Sequence, residues 1–126
     1  VDAGMPYLVC TTDADVVGFA YAGFYRPRSG YRFTVEDSVY IAPGAVGRGY
    51  GRQLVAALIE ACTAKGCRQM LAVIGDRDNH GSINLHRSLG FAEVGCFPSV
   101  GFKLGRWVDV VVMQRTLGEG DATLPG

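Results

Sequence analysis

The chain of 126 residues has no excess of either charge, no long apolar run and no recognisable metal framework. Twelve basic side chains balance twelve acidic ones. That argues against a nucleic-acid partner, because a phosphate backbone calls for a basic surface. A neutral total still leaves room for a local basic pocket and an anionic ligand. No apolar run approaches the roughly 20 residues of a spanning helix, and the amino terminus lacks a signal-peptide pattern. No membrane partner and a cytoplasmic setting are therefore the default expectations. Cys10, Cys62, Cys67 and Cys96 fit no zinc spacing, and His80 and His86 are poorly placed to complete one. The cysteines read as reduced and structural, and no metal is expected.

What is present is apolar material in the measure of one core. Hydrophobic residues make up 48% of the chain, and the length suits one domain over 1–117 with a flexible tail over 118–126. Tyr7 to Thr11 and Val16 to Ala22 are β-rich and flank the polar turn Thr12-Asp13-Ala14-Asp15, which reads as a hairpin. Phe24 to Arg32, with Pro27, Gly30 and three arginines, reads as an exposed loop. Phe33 to Ile41 is the next strand. Leu54, Val55, Leu58, Ile59 and Ala61 give helical spacing over Arg52 to Cys62, and Gly66 closes the helix. Met70 to Ile74 is a short apolar strand of the kind buried on both faces. A second helix spans Ser82 to Leu89, and strands follow at Phe91 to Phe97 and Val108 to Arg115. The order β-β-β-α-β-α-β-β places the chain in the α/β (α+β) class, a mixed, mostly antiparallel central sheet flanked by helices.

The most informative segment is Val46-Gly47-Arg48-Gly49-Tyr50-Gly51, which joins a strand to a helix. Glycines at alternate positions let successive N–H groups converge, and the helix adds its own unpaired N–H groups and the positive end of its dipole. The result suits phosphate oxygens, with Arg48 and Arg52 able to add charged contacts. It is neither a Walker loop nor a dinucleotide fingerprint, since three antiparallel-looking strands precede it and no Gly-Lys-Ser/Thr follows.

This turn resembles the pyrophosphate-binding signature Q/R-x-x-G-x-G/A of the GNAT acyltransferase superfamily, matching at Gly49 and Gly51 and departing at Val46. Asn79-His80-Gly81-Ser82-Ile83-Asn84-Leu85-His86-Arg87-Ser88-Leu89-Gly90-Phe91 resembles its second coenzyme segment, with His86 where many members carry tyrosine. Thr34 to Tyr40, Ala72 to Gly75 and Val100 to Val110 look narrower still, like the phosphinothricin and methionine sulfoximine/sulfone N-acetyltransferases. The resemblance runs from about Tyr7 to Leu117. It implies acetyl-CoA as co-substrate, a small-molecule amine acceptor attacked directly, and a homodimer. It also implies a chain that is short at its amino end, since such members place a strand and two helices before the hairpin. A non-catalytic coenzyme A-binding or dimerising module is the alternative.

The same resemblance distributes roles. Glu36 reads from spacing alone equally as a solvated strand glutamate or a base, and the family pattern implies the base. Val39 is the implied main-chain donor to the thioester carbonyl, with Val39, Tyr40 and Ile41 along the pantetheine arm. Val46, Gly47, Arg48, Gly49, Tyr50, Gly51 and Arg52 are the implied diphosphate contacts. His86 is the implied general acid, its plainer reading being a packed helix histidine bonded to backbone. Asn79 and Ser82 would touch the coenzyme arm, although Asn79 equally suits an N-cap. Arg26 and Arg28, with Arg32 in reserve, are the implied acceptor contacts, their plainer reading being solubilising cations. Phe24, Tyr31 and Trp107 are candidate apolar walls. Arg106 and Asp109 share the matching segment without an assigned chemistry.

Overall fold

A computed structural model describes residues 4–13 and 15–125. Its elements are β1 (Tyr7–Thr12), β2 (Asp15–Phe24), β3 (Thr34–Ile41), α1 (Tyr50–Ala64), β4 (Gln69–Gly75), α2 (His80–Ser88), β5 (Ala92–Lys103) and β6 (Arg106–Thr116). This is the order expected from the sequence. The strands form one six-stranded sheet, β1-β2-β3-β4-β6-β5. Two antiparallel triplets, β1-β2-β3 and β4-β6-β5, meet at the parallel pair β3–β4.

Helix α1 buries Leu54, Val55, Leu58, Ile59 and Cys62, a stripe at helical spacing. Alanines at 20 and 22 and Val35 receive it on the sheet, and their small size lets the helix approach closely. Burying a side chain such as Leu58 stabilises the fold by about 1.5–3 kcal/mol. Gly66 ends the helix in a left-handed conformation with φ of 90°. Helix α2 lies on the same face, because its His86 reaches Asp37, which shares the side of β3 that carries Val35. The opposite face is bare among the described residues. There Tyr7, Phe19, Tyr21 and Tyr40 stack across three strands with ring centroids 4.9–6.5 Å apart. Both structural cysteines of α1 and its exit, Cys62 and Cys67, are buried and free, and Cys10 and Cys96 are free and half-buried. Among the described residues no helix is long and apolar enough to cross a membrane.

Three local expectations are corrected. Strand β5 does not stop at Phe97 but continues to Lys103, and β6 begins at Arg106. Pro98 and Gly101 look like breakers, yet β5 is an edge strand, where a proline forfeits no ladder bond, and the register shifts between Phe97 and Gly101 absorb them. The Ser99 N–H is met by the Asp109 carboxylate at 2.9 Å. Helix α1 starts at Tyr50 rather than Arg52, so Gly51 lies inside it; a Cβ there would sit 2.7 Å from Leu85 Cδ1 and would oblige that side chain to shift. Strand β4 is not buried on both faces, since Val73 is 44% exposed.

Residues 118–125 contain no helix or strand but fold back on Arg68. Its guanidinium donates to the carbonyls of Gly120 at 2.7 Å, Thr123 at 3.1 Å and Leu124 at 3.3 Å.

Because Leu58 is fully buried at the centre of the α1–sheet contact, Leu58→Ala should destabilise the chain by about 2–5 kcal/mol. Urea denaturation should show a lower midpoint with an unchanged slope.

Candidate functional site

The parallel pair β3–β4 persists only through Thr34↔Gln69, Val35↔Met70 and Glu36↔Leu71, after which the strands part. The gap is a cleft of about 290 Å³, reached by Glu36, Asp37, Val39, Val73, Ser82 and His86 among others. Backbone polarity along β3 follows from two bonds. Ala42 N–H donates to Val17 on β2, whereas the Phe33 carbonyl accepts from Arg68 and Gln69 at the entry to β4. Odd-numbered residues of β3 therefore turn their N–H and C=O toward β4. Beyond Glu36 there is no β4 partner, so Val39 and Ile41 present main-chain groups to the gap. The Tyr40 side chain lies on the bare aromatic face instead.

At the far end of β3 the glycine turn opens into α1. Gly47 and Gly49 hold φ of 86° and 82°, and Gly49 is the N-cap with no side chain to satisfy the first turn. The first helical bond is Gln53 N–H to Gly49 O, at 3.1 Å. The N–H groups of Arg48, Gly49, Tyr50, Gly51 and Arg52 donate to no other described residue. Five free donors around a helix N-terminus make an anion cradle. An apolar hollow of about 460 Å³ adjoins it, bounded by Ile41, Val46, Gly49, Tyr50 and Leu85. Arg48 is exposed and unpaired, while Arg52 Nε donates to Ser88 Oγ at 3.3 Å.

The turn between β4 and α2 shapes the cleft's other wall. Asp76 holds a φ of 102°, costly for a residue with a side chain. Its carboxylate accepts the Asp78 N–H and pairs with Arg106, and its own N–H donates to the Asp109 carbonyl. Asn79 then caps α2 by accepting the Ser82 N–H at 3.2 Å, so its plainer role is realised at the cleft edge.

Beneath the gap lies the residue that sequence reasoning missed. Asp37 Oδ2 is 2.7 Å from His86 Nε2, and both side chains are almost fully buried, at 4% and 2% exposed. His86 Nδ1 lies 2.8 Å from the Ser82 carbonyl. A carbonyl only accepts, so Nδ1 carries hydrogen, and one further proton is shared between Nε2 and the Asp37 carboxylate. Burial opposes a charged imidazole, but the hydrogen bond and charge of Asp37, with the Ser82 carbonyl, outweigh it and hold the His86 pKa above its ordinary value. Both ring nitrogens are thus engaged, and direct donation to a departing group would first have to break one of these bonds. The signal for Asp37 was present: Val35, Val39 and Ile41 alternate on the helix-facing side, and an acid among them needs a buried partner.

Glu36 sits at the last paired position, between Gly23 and Leu71. Its side chain points to the bare face and is half-buried. Burial first, and the neighbouring Asp37 charge second, raise its pKa above the ordinary value.

The arginine loop starts where β2 ends, and Tyr25 N–H to Thr34 O fixes it two residues from Glu36. Arg26, Arg28 and Arg32 line a hollow of about 310 Å³ with Phe24. Arg26 lies over the Tyr25 ring, and Arg32 donates to Ser29 O at 2.6 Å. The Arg28 carbonyl accepts the Tyr31 N–H, while its guanidinium has no partner among the described residues. Tyr31 packs edge-on to Tyr25, whereas Trp107 packs on Phe102 in the β5–β6 hairpin.

Residues 1–91 match the model of the acetyltransferase (GNAT) family. The chain is 55% identical over 125 residues to a phosphinothricin N-acetyltransferase of Alcaligenes faecalis, across 99% of its own length and 64% of the relative's. It is 47% identical over 115 residues to an L-methionine sulfoximine/L-methionine sulfone acetyltransferase of Pseudomonas aeruginosa, covering 90% of itself and 66% of that protein. A GNAT superfamily phosphinothricin acetyltransferase from Sinorhizobium meliloti, crystallised in complex with AcCoA, superposes with a TM-score of 0.94 at 51% identity, over 98% of this chain and 66% of that one. The chain therefore spans just under two thirds of the length of these relatives.

A raised Glu36 pKa means that the folded state binds this proton more tightly than the unfolded state does. The associated stability is complete below the ordinary carboxylate value and is lost as pH rises through the folded one. Glu36→Gln should therefore raise Tm relative to the parent at neutral pH, and the gain should vanish as pH falls to about 4. Thermal melts across that range measure it.

Proposed function

Because the chain belongs to the acetyltransferase (GNAT) family, we propose that it moves an acetyl group from acetyl-CoA to the amine of a small amino-acid-like acceptor. The acceptor class is that of phosphinothricin or methionine sulfoximine and sulfone, on which the named relatives act. The observation that carries the reading is the set of unengaged N–H groups from Arg48 to Arg52 at the α1 N-terminus. They suit the diphosphate of the coenzyme, with Arg48 adding charge.

From that anchor the free groups of Val39 and Ile41 extend along the gap, where a pantetheine arm can pair as an added strand. Val39 N–H, the nearer to Glu36, is the donor assigned to the thioester carbonyl. Glu36 takes the proton of the attacking amine, directly or through one water, as the nitrogen–carbon bond forms and the carbon–sulfur bond breaks with its electrons moving to sulfur. Its raised pKa makes it a stronger base than an ordinary carboxylate. Arg28, its guanidinium unpartnered, and Arg26 take the acceptor's carboxylate and oxo group, close to Glu36 through the Tyr25–Thr34 bond. We assign His86 to the floor of the cleft, with both nitrogens held, and Asn79 and Ser82 to its rim.

A homodimer and a cytoplasmic setting complete the reading. The β5–β6 hairpin carries exposed Phe97, Val100, Phe102 and Trp107, apolar material that a second copy can cover.

Glu36→Gln should lower kcat by about 10²-fold or more while acetyl-CoA affinity by calorimetry stays within about twofold. Gly49→Val, forced to a φ of 82°, should lose coenzyme binding itself. Coenzyme binding without thiol release in a panel of amino-acid acceptors would favour a non-catalytic binding module instead. Absence of binding would defeat both.

A further inference from the structure

The cleft contains two adjacent carboxylates with very different surroundings. Glu36 and Asp37 project to opposite faces of β3, Glu36 toward the gap and the bare face, Asp37 into the core under α2. Two neighbouring carboxylates do not both ionise easily: the Asp37 charge, after burial, already holds the Glu36 pKa up, and with less compensation it would raise it further. The charged or titratable groups that could offset Asp37 are few. On β4, residues 70 to 74 are apolar, and β2 places Gly23 beside Glu36. Helix α1 contributes Cys62, whose thiol is pushed up chiefly by its hydrogen bond to Cys67 and by burial. On β6, Arg115 is taken by the Leu89 carbonyl at 2.7 Å, at the far end of α2. Arg26, Arg28 and Arg32 lie out on the exposed loop, and Tyr21 and Tyr40 on the bare face. Lys65, at the end of α1, bears on Cys62, and Lys103 Nζ donates to the Gly75 carbonyl at 3.1 Å. Among the described residues His86, 2.7 Å away and buried, is the group that pairs with Asp37.

We propose that the Asp37–His86 pair is a tuning device for the cleft, His86 offsetting part of the charge of Asp37 so that Glu36, one residue away, remains a base. His86 then works through Glu36 and touches no reacting atom, so it is a positioning residue in this role. The shared proton lies between Nε2 and Asp37, while the Ser82 carbonyl holds the other nitrogen and fixes the ring. The inference rests on the acetyl-transfer reading for its consequence in turnover. The electrostatic coupling itself is observable without any reaction.

The test is a double-variant cycle with H86Q, which keeps an N–H donor without a positive charge, and D37N, which removes the negative one. In H86Q the acid limb of kcat/KM should move to higher pH, so that kcat/KM at about pH 6, relative to the variant's own plateau, falls about tenfold. In D37N/H86Q the limb should return toward that of the parent. A packing role alone predicts instead that the second change makes matters worse. Carbon-13 NMR of the Glu36 carboxyl reads the same midpoints in the absence of substrate, so a chain that transfers no acetyl group would defeat the function while the titration still judges the pair. An H86Q midpoint equal to the parent's, or one that D37N leaves uncorrected, overturns the proposal. Should H86Q not fold, the parent's own imidazole nitrogen and carboxyl carbon spectra decide: a His86 ring neutral at about pH 6.5 beside an ionised Asp37 also overturns it.

Discussion

Two parallel strands that stay bonded for three residue pairs and then part impose most of what is distinctive here. A parted ladder exposes main-chain donors and acceptors that would ordinarily be paired, and such groups are tolerated only where solvent or a ligand satisfies them. On one flank the antiparallel partner β2 holds β3 through Ile41; on the other, β6 holds β4 along its whole length. Each strand is therefore rigidly supported from outside while its inner edge is open. The cleft is a property of the sheet, and side chains decorate it afterwards.

Three otherwise separate features converge on that opening. Following β3, the glycine turn supplies unengaged N–H groups, a place for negative charge beyond the point where the strands part. The caps and ion pairs around Asp76 and Asn79 fix the approach of α2. The buried Asp37–His86 contact then ties α2 to β3 across the gap, so the two walls cannot drift apart independently. Buried ionic contacts add little net stability on average; this one is better understood as a constraint on geometry and charge.

Much of this was legible in the residues. The order of elements, the hairpin, the left-handed stop at Gly66 and the phosphate-friendly turn all follow from local chemistry, since Gly, Pro and apolar spacing act over a few residues. The failures were non-local. Pro98 looked like an end because nothing in the chain announces that β5 lies at an edge, where its missing N–H does no harm. Gly51 looked like part of a loop because the Leu85 side chain that packs over it lies 34 residues later. Asp37 was overlooked beside the more suggestive Glu36, although its position among Val35, Val39 and Ile41 marked it as facing inward. The parting of β3 from β4 is likewise unwritten in either strand, both of which are good β sequence beyond the point of separation.

Flush contact between Gly51 and Leu85 has one more implication. Without a Cβ at Gly51, Leu85 of α2 packs close against the first turn of α1, beside the amides that begin that helix. On the proposed reading, a molecule with its anionic end on the glycine turn would have its other end measured off against Glu36 on β3. Molecules with a shorter or longer arm would seat equally well at the first point and miss the second. Discrimination of this kind needs no recognition of the arm itself, only that α1 and β3 keep a set spacing.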